Sequence, residues 1–364
     1  MNSTDSITSK QLIFIIIGAQ IGIGIFSLPR VVSAAARQDA WLAVLLGAMV
    51  PFLILIIIER LGRRMPESGF VAMNQLLFGR WLGSVMVCLF VAYIIFFEST
   101  VVRLFTEITS AFLLPRTPIP VIAFVVVLTL VYIINKGARV IARLNEVLFW
   151  IILPLIFLIM VPLVNADYTN LLPVGGAGVK ALAQGVLPSS YAYAGIELLL
   201  VFYFLVRQKE EVIKAGIMGL GFTTLAYLIV TLVCLLVWGS ESMQMLNWPT
   251  LTVLKTIKFP VLERPEIFML AVWMGVGVRP AMNMGFTAAY SLSEVLQIQR
   301  DKYFHLVVMS IALPIFILAL LPANLLIAFK WAEYAGYSFL LAGLLYPLLM
   351  LIIAVIRGKE AQSA

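Results

Sequence analysis

The 364-residue chain is 62% hydrophobic and only 12% charged, with a mean hydropathy of +1.06, which excludes a soluble globular domain and marks an integral membrane protein. Its net charge of +7 does not point to nucleic acid, because the cations fall in short loops between apolar runs. One histidine and two cysteines leave no metal spacing, catalytic triad or disulfide framework to read, so neither an enzyme nor a cofactor is expected.

Apolar segments of about 20 residues or more predict ten spans, near 12–36, 41–61, 81–113, 118–135, 145–164, 180–206, 215–239, 266–296, 303–327 and 336–357. Residues 1–364 therefore read as a single all-α transmembrane domain. Its five-plus-five division, about 12–164 and 180–357, fits an inverted repeat, whose halves start on opposite sides of the membrane.

Span 1 contains Gln20-Ile21-Gly22-Ile23-Gly24-Ile25-Phe26-Ser27-Leu28-Pro29. Each glycine costs a helix about 1 kcal/mol relative to Ala, so the pair either breaks the helix at mid-membrane or permits close packing. A break would turn backbone N–H groups and a positive dipole end toward an anionic group. Gly24 is then the residue expected to be least replaceable, with Gly22 more tolerant on the packing side. The run Ala34-Ala35-Ala36 resembles a signal-cleavage site, but cleavage there would delete span 1, so it is rejected.

Further along, Gln38-Asp39-Ala40-Trp41 forms a polar turn, and span 3 carries Glu98, Arg103 and Glu107. Arg103 and Glu107, four apart, predict a local ion pair. Cys88 and Cys234, in spans 3 and 7, read as buried free thiols. The segment 172–178 is Gly-rich but lacks the Lys-Ser/Thr ending of a phosphate loop, so it reads as a flexible turn. Span 6 holds Pro188-Ser189-Ser190-Tyr191-Ala192-Tyr193-Ala194-Gly195-Ile196-Glu197, small, polar and aromatic where an aliphatic core is expected. Weakened helices at corresponding positions of both halves point to a central substrate site. Its candidate residues are Gly22, Ile23, Gly24 and Ile25 for a carboxylate, Tyr193, Ala194 and Gly195 for an ammonium, and Glu197 just beyond. Met245 to Phe259 reads as an amphipathic outer cap. Glu98, Glu197 and Arg279, each near the middle of a span, are read as an intramembrane charge network, either a structural ion pair or a ligand- or proton-linked set. Pro280 would kink span 8 beside Arg279.

With a cytoplasmic N-terminus, the inner segments hold fifteen cations (Lys10, Arg60, Arg63, Arg64, Arg80, Lys136, Arg139, Arg143, Arg207, Lys209, Lys214, Arg300, Lys302, Arg357, Lys359) and the outer ones eight (Arg30, Arg37, Arg116, Lys180, Lys255, Lys258, Arg264, Lys330). The excess predicts both termini inside.

Ile21-Gly22-Ile23-Gly24-Ile25-Phe26 followed by Pro29 resembles the first helix of the amino acid–polyamine–organocation transporters. Gln38 to Val44, Leu114-Pro115-Arg116-Thr117-Pro118, Asn170 to Val174 and Gly195-Ile196-Glu197 resemble the permease-like B subunits of GerA-type spore nutrient germinant receptors. The resemblance implies a LeuT/APC-like fold with broken helices 1 and 6, sited in the inner membrane of a bacterial spore. It further implies sensing of a nutrient, commonly an amino acid, beside a larger membrane A subunit and a lipoprotein C subunit. In that architecture a cation between helices 1 and 8 often steadies the broken helix, and Arg279 is read as its permanent substitute. The alternative function is a proton-coupled, sodium-independent amino-acid permease. A channel is compatible with the polar path along Ser189, Ser190, Tyr193 and Glu197.

Overall fold

The computed structural model describes residues 6–256 and 264–358. Ile257, Lys258 and Phe259 of the expected cap, and Lys359 of the cation count, lie outside the described residues. Helix α1 (Ser9–Gln20) starts on a capping box, in which the Thr8 side chain accepts from Gln11 N–H and the Gln11 side chain accepts from Thr8 N–H. After a break come α2 (Leu28–Ala36), α3 (Ala40–Gly47) and α4 (Met49–Arg64). They are followed by α5 (Phe70–Phe78), α6 (Arg80–Phe112), α7 (Ile119–Ile134) and α8 (Ala138–Met160). The second half opens with α9 (Gly178–Tyr191), breaks, and resumes as α10 (Leu199–Leu205). It continues through α11 (Val212–Met243), the short α12 (Pro249–Thr252), α13 (Pro265–Val276) and α14 (Arg279–Val295). The last three helices are α15 (Arg300–Leu320), α16 (Leu325–Phe339) and α17 (Tyr346–Ile356).

Among the described residues seven helical stretches are long and apolar enough to cross a membrane, and α9 with its continuation to Leu205, bent by 45°, makes an eighth. Helix α7 is shorter, and α1 stands apart from α2, so the ten-span division is compatible with this set. The 33-residue α6 runs through the bundle and packs on α5, α7, α14, α15 and α16, while α1 packs on α8, α11 and α14. Lipid supplies little hydrophobic drive between helices, so close approach depends on small residues. Gly62 against the Tyr203 ring and Gly336 against the Tyr191 ring are such places.

Three expectations change here. Cys234 is buried, but Cys88 is exposed on α6, on a face that the rest of the bundle leaves uncovered. The Gly-rich turn is clamped: buried Asp39 accepts from Gly175 N–H (2.8 Å) and Ala177 N–H (2.9 Å), and Gln38 donates to the Pro173 carbonyl (3.2 Å). The outer cap is inserted into the bundle rather than laid over it. Thr250, Leu251, Val253 and Leu254 are buried, and the Thr250 hydroxyl donates to the Ile25 carbonyl (2.9 Å) inside the break of span 1. The expected Arg103–Glu107 pair is present at 2.6 Å.

Candidate functional site

Helix α1 stops at Gln20 because the next residues leave helical geometry. Ile21 is extended, Gly22 adopts φ −122° and ψ −144°, and a 3₁₀ turn spans Ile23–Phe26. The N–H groups of Ile23 and Gly24 open that turn ahead of its first i→i−3 bond, and so lack helical partners. The carbonyls freed on the other side are taken by side chains. Ile21 accepts from Arg279 Nη2 (3.3 Å), Gly22 from Trp273 Nε1 (3.3 Å) and Ile25 from Thr250. Backbone broken at this depth persists because protein groups satisfy it.

The second break lies between α9 and the 3₁₀ turn Ile196–Leu198. Ala192, Tyr193 and Ala194 N–H bond back to Ser189, Ser190 and Tyr191, each at 3.1 Å, and Gly195 then takes φ +111°. A Cβ at Gly195 would lie 2.8 Å from both the Cβ and the carbonyl oxygen of Ala19, so the two breaks cross at this glycine. Two side chains staple the crossing. Tyr227 on α11 has its hydroxyl 2.8 Å from the Gln20 carbonyl and 2.9 Å from the Ala192 carbonyl, and its single proton serves one at a time. Gln20 Nε2 donates to the Tyr193 carbonyl (3.3 Å).

Gly22 lies on the packing side, as expected, but its surroundings are too tight for it to be the more tolerant of the two glycines. Nothing lies within 4 Å of a Cβ built at Gly24, whereas a Cβ at Gly22 would lie 2.6 Å from Pro280 Cγ. Gly24 faces open space, and Gly22 is the packing glycine against the start of α14.

The three midplane charges do not form ion pairs with one another among the described residues. Glu197 is turned back onto its own break, accepting from Gly195 N–H (2.8 Å) and from the Tyr93 hydroxyl (2.7 Å). Arg279 donates from Nη2 to the Ile21 carbonyl and from Nε to the Val276 carbonyl (3.3 and 3.2 Å), while its Nη1 is buried with no hydrogen-bond partner. Glu98 is buried on α6 beside Gly285, against Val127, Leu130 and Ile311. Carbonyl dipoles at Arg279, and a phenol and a backbone N–H at Glu197, stand where opposite charges were expected, while Glu98 Oε2 is buried with no hydrogen-bond partner.

Between the two breaks lies a cavity of about 640 Å³. Of the expected residues, Gly22, Ile23, Gly24 and Ala194 line it; Ile25, Tyr193, Gly195 and Glu197 are buried behind its wall. Gln20, Phe97, Thr100, Tyr191 and Tyr227 also line it and had not been singled out. A glutamine inside an apolar run was a legible signal; nothing local marked Tyr227, whose role comes from tertiary contact. The cavity reaches Arg30, Gln244, Lys330 and Glu333, at the end that the cation count assigns to the outside. The opposite end is sealed. Ile7 N–H donates to the Leu205 carbonyl (2.9 Å) and Arg207 N–H to the Ile7 carbonyl (3.1 Å), forming an isolated parallel bridge. Ser9 bonds Glu211, Lys209 bonds the Pro66 carbonyl, and Arg207 Nε donates to Ser6 (2.9 Å). N–H groups without helical partners, at the end of a cavity whose lining is mixed apolar and polar, suit the anionic end of a small solute.

Solved structures of transporters share this fold. Mhp1, a nucleobase–cation–symport-1 family transporter with bromovinylhydantoin bound, matches with a TM-score of 0.68 at 15% identity, over 98% of this chain and 80% of its own. MhsT in complex with L-phenylalanine matches equally well, over 98% and 90% of the two chains, also at 15% identity. Among curated proteins, the spore germination protein YndE of Bacillus subtilis is 27% identical, over 98% of both chains. The spore germination protein GerQB of Bacillus cereus is 28% identical over 95% of both. Spore germination protein A2 of Bacillus subtilis is 25% identical, again over 95% of both. The family profile for spore germination proteins matches residues 6–326. A multi-pass, transporter-like chain with this length of match belongs to the spore germination protein (spore permease) family.

Proposed function

We propose that the protein is the nutrient-sensing, permease-like subunit of a spore germinant receptor, and that it binds a small zwitterion, an amino acid, in the central cavity. The observation that carries this reading is the break at Gly22, which leaves the N–H groups of Ile23 and Gly24 without helical partners beside a cavity that a second broken helix also lines. A carboxylate seated there meets two donors and a positive dipole end. Gly22, Ile23, Gly24 and Ala194 contact the ligand in this reading. Ile25, Tyr193, Gly195 and Glu197 hold the two breaks in shape from behind. Its partners are a larger membrane A subunit and a lipoprotein C subunit in the spore inner membrane, with both termini of this chain cytoplasmic.

The second reading, a proton-coupled, sodium-independent permease, draws on Arg279, whose fixed charge sits on the Ile21 carbonyl where a bound cation would otherwise be needed. Calorimetry of the purified chain against amino acids, sugars and nucleosides tests the ligand class. Binding of an amino acid is expected; a protein that bound sugars or nucleosides alone would refute the assignment.

A further inference from the structure

We propose that Gln20 reads the ammonium of the ligand, and that the rest of the ligand is an uncharged apolar side chain held between α6 and α16. This rests on the cavity being an amino-acid site. Gln20 is only 7% exposed and lines the cavity at the foot of the break. Its Nε2 donates to the Tyr193 carbonyl, which fixes the orientation of the amide, and its Oε1 is buried without a partner. A buried amide oxygen in that state calls for a donor from outside the protein. Three carbonyls of the second break already have donors within hydrogen-bond distance. Ala192 accepts from Tyr227, Tyr193 from Gln20 itself, and Gly195 from Leu198 N–H (3.4 Å). An α-amino acid carries its ammonium one carbon from its carboxylate, so it needs an acceptor beside the carboxylate donors. Gln20 and Ile23, three residues apart across the break, supply both.

The walls define the other end of the ligand. Phe97, Val101 and Leu104 come from α6, Leu187 from α9, and Phe329 and Ala332 from α16. Among the described residues the acidic and basic side chains that line the cavity, Arg30, Lys330 and Glu333, lie at its mouth. A charged side chain seated at the breaks would be stripped of water without a partner, whereas an aliphatic or aromatic one is accommodated. A volume of about 640 Å³ leaves room for the largest of these.

The test is calorimetric, on the full chain in detergent, with L-leucine and L-phenylalanine and their des-amino counterparts 4-methylpentanoate and 3-phenylpropanoate. The unmodified protein is expected to favour each amino acid over its des-amino acid by about tenfold or more, the scale of a hydrogen bond to a charged group. In Gln20→Met that preference should collapse to about twofold or less, whatever the variant does to the affinity of the des-amino acids. A merely structural Gln20 would weaken both classes alike and leave the preference intact, which overturns the proposal. An unmodified protein that binds the two classes equally overturns it too, without recourse to the variant. L-Lysine and L-glutamate are expected to bind at least about tenfold more weakly than L-leucine; equal binding overturns the apolar-body assignment. If no amino acid binds the unmodified protein, the amino-acid reading itself has failed.

Discussion

Gly195 carries two constraints at once, a left-handed φ of +111° and contact with Ala19. The left-handed backbone alone disfavours an L side chain by roughly 1–2 kcal/mol, and overpacking adds roughly 1–3 kcal/mol. Gly195→Ala should therefore lower the melting temperature and membrane level of the protein more than Gly22→Ala, and Gly24→Ala should leave both near normal. Equal losses at Gly24 and Gly195 would contradict the crossing described here. The Gly24 variant is instead expected to weaken ligand binding, because its methyl group enters the cavity. For the charges, the hydroxyl of Tyr93 on Glu197 predicts that Tyr93→Phe and Glu197→Gln are energetically coupled, by roughly 0.5–3 kcal/mol in a double-mutant cycle on unfolding. Coupling between Glu197→Gln and Arg279→Gln should be smaller. A cycle with those magnitudes reversed would restore the ion pair that the sequence invites.

The broken helices were legible as elements because their cause is local: paired glycines in one span, and small polar and aromatic residues in the other. Local sequence put Gly22 on the packing side but did not reveal how tightly it is packed, since that depends on Pro280 arriving from α14, nor the contact of Gly195 with Ala19 of α1. The Ile7–Val206 bridge and the short α5 were also missed, the first because its partners are remote in sequence, the second because nine residues fall below the length of a span. Tyr227 belongs to the same class, a single polar group on α11 that ties both breaks. Tyr227→Phe removes that tie and should cost about 0.5–1.5 kcal/mol of stability in a chemical-denaturation measurement. No change would mean that the hydroxyl is dispensable to the crossing. Outside the spans, the hydroxyl and backbone N–H of Thr169 hold the Asp167 carboxyl below its ordinary range. A depressed folded value gives a contribution that is present above the unfolded value and lost as pH falls through the folded one. Amide exchange at Thr169 should quicken relative to its neighbours below about pH 4, and Asp167→Asn should abolish that step.

At the scale of the whole molecule, the sealed end at Ile7 and the open end at Arg30 and Lys330 describe a vessel open at one end. Fold and family place this vessel among transporter-like germination proteins, but the same architecture serves a receptor that holds its ligand and a permease that releases it. What separates them is whether the inner seal opens during turnover. In the receptor reading the chain alone, reconstituted in proteoliposomes, binds a radiolabelled amino acid with no accumulation above the amount of protein present, with or without a proton gradient. Concentrative uptake driven by a proton gradient would favour the permease. Sodium supplies an independent arm. Arg279 already donates to the Ile21 carbonyl, so binding by the unmodified protein is expected to be the same in sodium and in potassium. Arg279→Ala empties that position and leaves a freed carbonyl inside the bundle, which a small hydrated cation can satisfy by shedding water onto it. The variant is therefore expected to bind ligand weakly in potassium and to recover affinity as sodium is raised. If its binding stays the same at every sodium concentration, Arg279 is a structural tether of α14 to the break and not a built-in replacement for an ion.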